Sequence, residues 1–260
     1  MENKAMKHKL DRGRILNLVS VLMLILLWIL ISGRYPDFLP TPVQTGERFI
    51  QLLNHPIGKY SIGMHIWASL KRVLTALFFS IILGIVIGVA MGWNKWVNAI
   101  VGPIITVLRP IPPIAWIPLM ILWFGVGELP KVLLIFIGTI FIVVLNSSAG
   151  VQMVDPIYVN VGRIYGANTW QMLRHVVFPA SFPAIIAGIK TALGCGWSVV
   201  VAAEMIASKQ GLGFLITRGS DSLDYPLVMI GMILIGIIGA LLSGIFSWLE
   251  RRVCVWAADK

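Results

Sequence analysis

The chain has 260 residues, 58% of them hydrophobic and only 12% charged, a balance that excludes an ordinary water-soluble domain and makes lipid its main solvent. Its formal charge of +10 raises nucleic acid as a partner, but the basic residues lie in tails and loops beside apolar runs and form no compact basic domain, so no nucleic acid is expected. Cys195 inside an apolar run and Cys254 near the carboxyl end suggest neither a structural disulfide nor a metal site.

At the amino end, Lys4, Lys7, Lys9, Arg12 and Arg14 precede an apolar run over residues 15–31. Ser32-Gly33-Arg34 is not a small-x-small cleavage site, so the run is read as a retained first span rather than a signal peptide. The basic cluster places the amino end in the cytoplasm. Residues 35–60 are then external, with Thr41-Pro42 starting a short amphipathic helix through Arg48, Phe49 and Leu52.

The second run, residues 61–92, would be roughly 48 Å long as a helix, against a hydrocarbon core of roughly 30 Å. Lys71 and Arg72 mark which end lies outside, so residues 61–72 are expected in the outer interface and residues 73–91 across the bilayer. Gly84, Gly88 and Gly92 recur every fourth residue, a stripe that lets another helix approach closely.

The third run, residues 97–124, contains Pro103, Pro110, Pro112, Pro113 and Pro118 and cannot form one regular helix. Broken backbone within a membrane is tolerated only where protein or water satisfies it, so residues 109–113 are expected at a cavity or a packed interface. Arg109 is the one strong charge there. With Pro112 and Pro113 it is a candidate for the translocation pathway, where it would meet an anionic solute; pairing with a carboxylate or snorkelling to the cytoplasmic side are the structural alternatives.

Glu128 and Pro130 open the fourth span, residues 129–149, which returns the chain to the cytoplasm. The fifth, residues 184–207, holds Gly188, Gly194, Gly196, Glu204 and Lys190, the last able to snorkel inward. Glu204 reads either as an ordinary interfacial carboxylate or as a group on the pathway or under an external docking face. Trp197 and Met205 join it as candidate pathway residues. Residues 208–225 are external, residues 226–249 form the sixth span, and Arg251 with Arg252 holds its end inside.

Between the fourth and fifth spans lies a long polar interruption. Asp155-Pro156 gives a carboxylate cap with proline at the first helical position, and Gly166 offers a left-handed stop about ten residues later. The enclosed helix carries Ile157, Tyr158, Val161, Ile164 and Tyr165 with only Arg163 charged. So short an apolar helix does not hold alone in water, so it must bury that surface against something. Asn168 with Gln171 makes a capping box for a second helix that is expected to end at Pro179.

The spacing from Gly166 through nine residues to Val176, Phe178 and Pro179 resembles the cytoplasmic loop of permease subunits of ABC-type importers. The loop of that family usually opens with Glu-Ala-Ala, where this chain has Asn160, Val161 and Gly162. LRPIPPIAWIPLMILWFG at residues 108–125 and VAAEMIASKQGLGFLI at residues 201–216 resemble the permease subgroup for nitrate, sulfonates and taurine. The resemblance implies an all-α polytopic membrane protein with six spans and the type I importer permease fold. It divides the chain into a cytoplasmic tail (1–14), a first span and external segment (15–64), the permease transmembrane domain (65–251, with its coupling loop at 150–183) and a second cytoplasmic tail (252–260). Asp155, Pro156, Tyr158, Asn160, Val161, Gly162, Arg163, Tyr165, Gly166, Ala167 and Pro179 would form the ATPase-coupling loop.

No phosphate loop appears, since Gly188-Ile189-Lys190-Thr191 lacks the leading glycine and lies in a span. His8, His55, His65 and His175 are scattered, and no nucleophile motif exists. An enzyme is not expected, nor a cofactor bound by this chain; ATP would be bound and hydrolysed by a separate subunit. The resemblance implies four partners: that cytoplasmic ATPase, a second permease copy in a homodimer, an external solute-binding protein and the lipid of a bacterial inner membrane, with both termini cytoplasmic. The cargo would be a small anion such as a sulfonate, taurine or nitrate. Alternatives are a heterocyclic vitamin precursor as cargo, or an ion-coupled carrier, which would show internal repeats and paired intramembrane acids.

Overall fold

In the computed structural model, residues 2–36, 38–57, 59–206 and 208–254 are described, with side chains at residue 16 and from residue 19 onward. The basic side chains expected to orient the amino end and the tail beyond residue 254 therefore lie outside the described residues. The order is all-α: α1 (Glu2–Arg34), α2 (Pro42–Asn54), α3 (Ile62–Trp93), α4 (Lys95–Leu108), α5 (Ile117–Phe124), α6 (Glu128–Gln152), α7 (Pro156–Ile164), α8 (Thr169–Met172), α9 (Phe178–Met205), α10 (Leu212–Asp221) and α11 (Tyr225–Val253).

Among the described residues, α3, α6, the continuous stretch Thr169–Met205 and α11 are long and apolar enough to cross a membrane, and α4 with α5 makes a further span if that bent pair is counted as one. α1 lies where the first crossing was expected, and its described apolar part, Val19–Arg34, is shorter than those spans.

The chain divides into two compact units. In the smaller, residues 1–62 and 215–232, Thr41 caps α2 by accepting from the Gln44 amide, and the Gln44 side chain returns the bond to Thr41. The Trp28 indole donates to the Pro40 carbonyl at 3.0 Å, fixing the exit from α1. Arg48 on α2 pairs with Asp224 at 2.8 Å, and Asp224 also accepts from the Leu227 amide at the start of α11. The sequence offered α2; α10, ahead of that turn, was not expected.

In the larger unit, residues 63–214 and 233–260, α6 and α9 pack extensively on one another. Gly84, Gly88 and Gly92 of α3 lie against α6, so that a Cβ would fall 2.8 Å from Val143 Cβ, 2.5 Å from the Val144 carbonyl and 2.6 Å from Val151 Cβ respectively. Gly188 and Gly196 do the same for α9, against Asn146 and Thr139 of α6. The glycine stripe is thus packing, as expected.

The proline-rich run breaks as expected. α4 ends at Leu108, a 3-10 turn covers Pro113–Trp116, and α5 follows at a bend of 88°. Pro103 stays inside α4, while Pro113 packs beside Gly138 of α6.

α3 is one helix of 32 residues, so residues 62–72 run into the second span without a break, and Arg72 is buried among protein groups, where carboxylates from two other segments meet it. One expectation is corrected: Pro179 does not end a helix. Residues Leu173–Val177 form a π-helical turn in which the Phe178 amide reaches the Leu173 carbonyl, and α9 continues through Pro179 and Pro183 to Met205. A proline lacks an N–H and crowds the carbonyl four residues back, here His175. Widening the turn that contains His175 relieves both problems, which is how π-bulges allow a helix to pass a proline.

Replacing Gly88 by valine should therefore lower the stability of the detergent-purified chain by about 1–3 kcal/mol. Gly102→Ala, whose new Cβ meets only the Asn98 side chain at 3.4 Å, should leave it unchanged or slightly raised. Thermal unfolding of the two variants side by side checks the contrast.

Candidate functional site

The candidate coupling segment is built by local rules. Asp155 accepts from the Ile157 amide at 2.8 Å, and Pro156 occupies the first turn of α7. At the far end Gly166 has φ +74°; its amide donates to the Arg163 carbonyl at 2.9 Å and that of Ala167 to the Gly162 carbonyl at 3.0 Å. This pair of bonds closes a helix onto a left-handed glycine. Asn168 and Gln171 then exchange side-chain and backbone bonds at 2.8 and 2.9 Å, completing the expected capping box.

One side of α7 is held. A Cβ on Gly162 would reach Met172 Cε at 2.7 Å and Val176 Cγ2 at 3.7 Å, so this position needs a small residue, and Val159 and Ala167 pack on the cluster of Val151, Met172 and Val177. The other side is bare. Ile157, Tyr158, Val161, Ile164 and Tyr165 are 64%, 59%, 45%, 83% and 86% exposed, and Asn160 and Arg163 are exposed beside them. A helix of nine residues that buries one edge and leaves five large apolar side chains in the open is prepared for a protein partner.

The second feature is an ion cluster that only the folded chain assembles. Arg72 Nη1 donates to Glu204 Oε1 at 2.6 Å and to the Gln210 carbonyl at 3.0 Å, while its Nε and Nη2 grip Glu128 at 2.6 and 2.7 Å. Glu204 Oε2 accepts from Ser69 Oγ and from the Gly213 amide, both at 2.9 Å. Ser69 Oγ accepts from the Leu212 amide, and His65 Nδ1 from the Gly211 amide at 3.1 Å, so the ring carries its proton on Nε2. His65, Ser69 and Arg72 are spaced as one face of α3, and that face grips the segment entering α10. Gly211 has φ +129° and lies against the Glu204 carboxyl group, leaving no room for a side chain. Lys131 Nζ joins through Glu128 at 3.1 Å.

Glu204 thus lies in the protein interior, with its side chain 0% exposed. Trp197 is buried against Gly239, and its indole donates to the Ile235 carbonyl at 3.0 Å. Arg109 and Pro112 are exposed, Pro113 is half-buried, and Met205 is 47% exposed. Of the candidate coupling residues, Tyr158, Asn160, Val161, Arg163 and Tyr165 are exposed, while Gly162 and Ala167 are half-buried. Sequence reasoning did not join His65, Ser69 and Arg72 into one face, although their helical spacing in an apolar run was a usable signal. Lys190, expected to be able to snorkel, pairs with Glu250 at 2.8 Å.

Residues 80–254 match the family described as the inner membrane component of binding-protein-dependent transport systems. The chain belongs to that family. It is 36% identical to the taurine transport permease TauC of Escherichia coli over 255 residues, covering 96% of this chain and 92% of the relative. It is 32% identical to the nitrate import permease NrtB of Synechocystis, covering 90% and 87%. With the bicarbonate permease CmpB of Synechococcus elongatus it shares 32% identity, covering 96% and 92%. In fold it is similar to a chain of the inward-facing MetNI methionine ABC transporter, with a TM-score of 0.64 at 19% identity over 80% of this chain and 98% of that one. A chain of a bacterial alginate ABC transporter gives 0.58 at 14% identity, over 94% and 96%. The fold is that of a type I importer permease, and the chain is a transmembrane permease subunit of an ABC importer.

Glu204→Gln should destabilise the protein by about 3–5 kcal/mol, because it leaves part of a buried guanidinium uncompensated. Asp224→Asn, which breaks the partly exposed pair with Arg48, should cost under about 1 kcal/mol. Thermal unfolding in one detergent distinguishes the two; equal losses would remove the special status of the buried cluster.

Proposed function

We propose that two copies of this chain form the membrane pathway of an importer for a small anion, a sulfonate, taurine or nitrate, driven by a separate ATPase and fed by an external binding protein. The observation that carries the reading is the bare apolar face of α7, which is rigidly capped at both ends and supported from behind by Met172 and Val176. A surface built in that way transmits a push instead of yielding to it. ATP would be bound on the partner ATPase, and this chain, lacking a phosphate loop, would hydrolyse none.

In this reading both termini and the segment around α7 face the cytoplasm of a bacterial cell. Closure of the ATPases on ATP presses α7, and the packed helices behind it rock as rigid bodies between inward-open and outward-open states. The Asn160-Val161-Gly162 opening keeps a small residue at Gly162, the position that faces Met172, and carries no acid at Asn160. Docking would then rest on apolar burial more than on charge. Arg109, exposed at the end of α4, would attract an anion in the open pathway, with Pro112 and Pro113 at the bend beside it. Trp197, Glu204 and Met205 contribute to the pathway only through packing, apart from the half-exposed Met205. The anion assignment draws on the taurine and nitrate permeases among the relatives.

Two measurements test this. Ile164→Asp should abolish co-purification of the ATPase and ATP-dependent uptake while leaving the thermal stability of the permease within about 0.5 kcal/mol of wild type, as for an exposed position. Arg109→Gln should leave that co-purification intact and cut uptake of ethanesulfonate or nitrate by about 10-fold. Uptake that persists without any ATPase and follows an ion gradient would instead identify a secondary carrier, and uptake of only uncharged heterocycles would remove the anion assignment.

A further inference from the structure

The geometry points to a gated site for a small monoanion where α6 begins, formed by Arg72, Lys131 and the first turn of α6 and now occupied by the chain's own Glu128. The inference rests on the anion-import reading for the identity of the anion, but not for its binding.

Glu128 is held the way a bound anionic ligand would be. The guanidinium of Arg72 presents its Nε and Nη2 edge to both carboxylate oxygens at 2.6 and 2.7 Å, and Lys131 adds a third donor at 3.1 Å. The two cations are buried, with side chains 3% and 8% exposed, whereas the Glu128 side chain is 59% exposed. Buried charges are costly to strand, and this pair sits beneath the one exposed carboxylate that neutralises it. Glu204 differs: it is sealed, and its oxygens accept from Arg72 Nη1, Ser69 and Gly213. It therefore stays when Glu128 leaves.

Charge and space both favour an incoming anion. Arg72 and Lys131 against Glu128 and Glu204 sum to zero, so withdrawal of Glu128 leaves a local charge of +1 that a monoanion restores. Glu128 is the first residue of α6, where a side-chain rotation releases it without breaking a helical turn. Gly127 before it supplies no side-chain cap to the free amides of that turn, which favour negative charge. Beside Lys131 opens a cleft of about 30 Å³ lined by Val126, Gly127, Pro130, Met120 and Ile121. It is small and apolar, suited to the short carbon tail of a sulfonate whose oxygens take the place of the carboxylate. Bidentate recognition by an arginine fork suits planar or tetrahedral oxyanions alike.

The test uses the full-length chain in nanodiscs of zwitterionic lipid at low ionic strength, titrated calorimetrically with ethanesulfonate, nitrate and chloride. Glu128→Gln removes the internal competitor and should bind ethanesulfonate about 10-fold more tightly than wild type. The double variant Glu128→Gln with Lys131→Gln should lose that gain. Ethanesulfonate should also raise the unfolding temperature of Glu128→Gln more than that of wild type. Should Glu128→Gln fail to fold at low salt, Glu128→Asp, which keeps the charge but loosens the fork, should show a smaller gain in the same direction. A gain shared by all three anions identifies a site that reads charge and oxyanion or halide alike, and one confined to ethanesulfonate adds the cleft; both uphold the site. Equal affinities for wild type and the Glu128 variants, or a gain that survives loss of Lys131, would overturn it. Failure of anion uptake by the assembled importer would leave these binding constants untouched, so the two readings fail separately.

Discussion

Arg72 and the groups that converge on it tie four segments of the larger unit together. A guanidinium in an apolar interior must have each donor matched in direction as well as charge. Here a single side chain joins α3 to the start of α6, to the end of α9 and to the carbonyl of Gln210. Glu204, Ser69 and His65 extend that demand to the amides of residues 211–213, which would otherwise be buried without partners. The arrangement fixes where these helix ends lie relative to one another, because a half-satisfied network in low dielectric is worse than none. It also explains why α3 can be a single long helix despite a charge in its path.

Along the rest of their length the same helices are held by shape. Glycines on α3 and α9 bring backbones against α6 at distances that admit no side chain, and in a lipid solvent such close packing replaces the hydrophobic drive available in water. Polar locking at one end and steric interlock along the shafts together make a body suited to moving as a piece. α7 meets that body through Gly162, Met172 and Val176, and the chain continues from there through the π-turn that accommodates Pro179 into α9. α7 is therefore held by what lies behind it as much as by its caps.

Local chemistry was legible from residues close in sequence. The Asp155 cap, the left-handed stop at Gly166, the Asn168–Gln171 box and the proline break after Leu108 each depend on backbone preferences within a few residues, and each was expected where it occurs. Pro179 was misjudged because its effect depends on whether the preceding turn can widen, and a widened turn leaves no composition signature. Arg72 was expected at the outer interface, and Glu204 there, on the pathway or under a docking face, because a lone charge in an apolar run is costly. The sequence did not reveal that they are 132 residues apart along the chain and cancel each other.

What the sequence by itself determined is the solvent and the order of parts: a lipid-bound helical chain, its apolar runs, and a short capped helix with apolar surface to spare. Those properties follow from composition and from contacts that span a turn or two. Only the tertiary structure decided which charges neutralise which, that Lys190 meets Glu250, and that Glu128 covers two buried cations. Partner choice between distant segments depends on how helices rotate and stack about one another, and that geometry is set by the whole packed assembly of side chains.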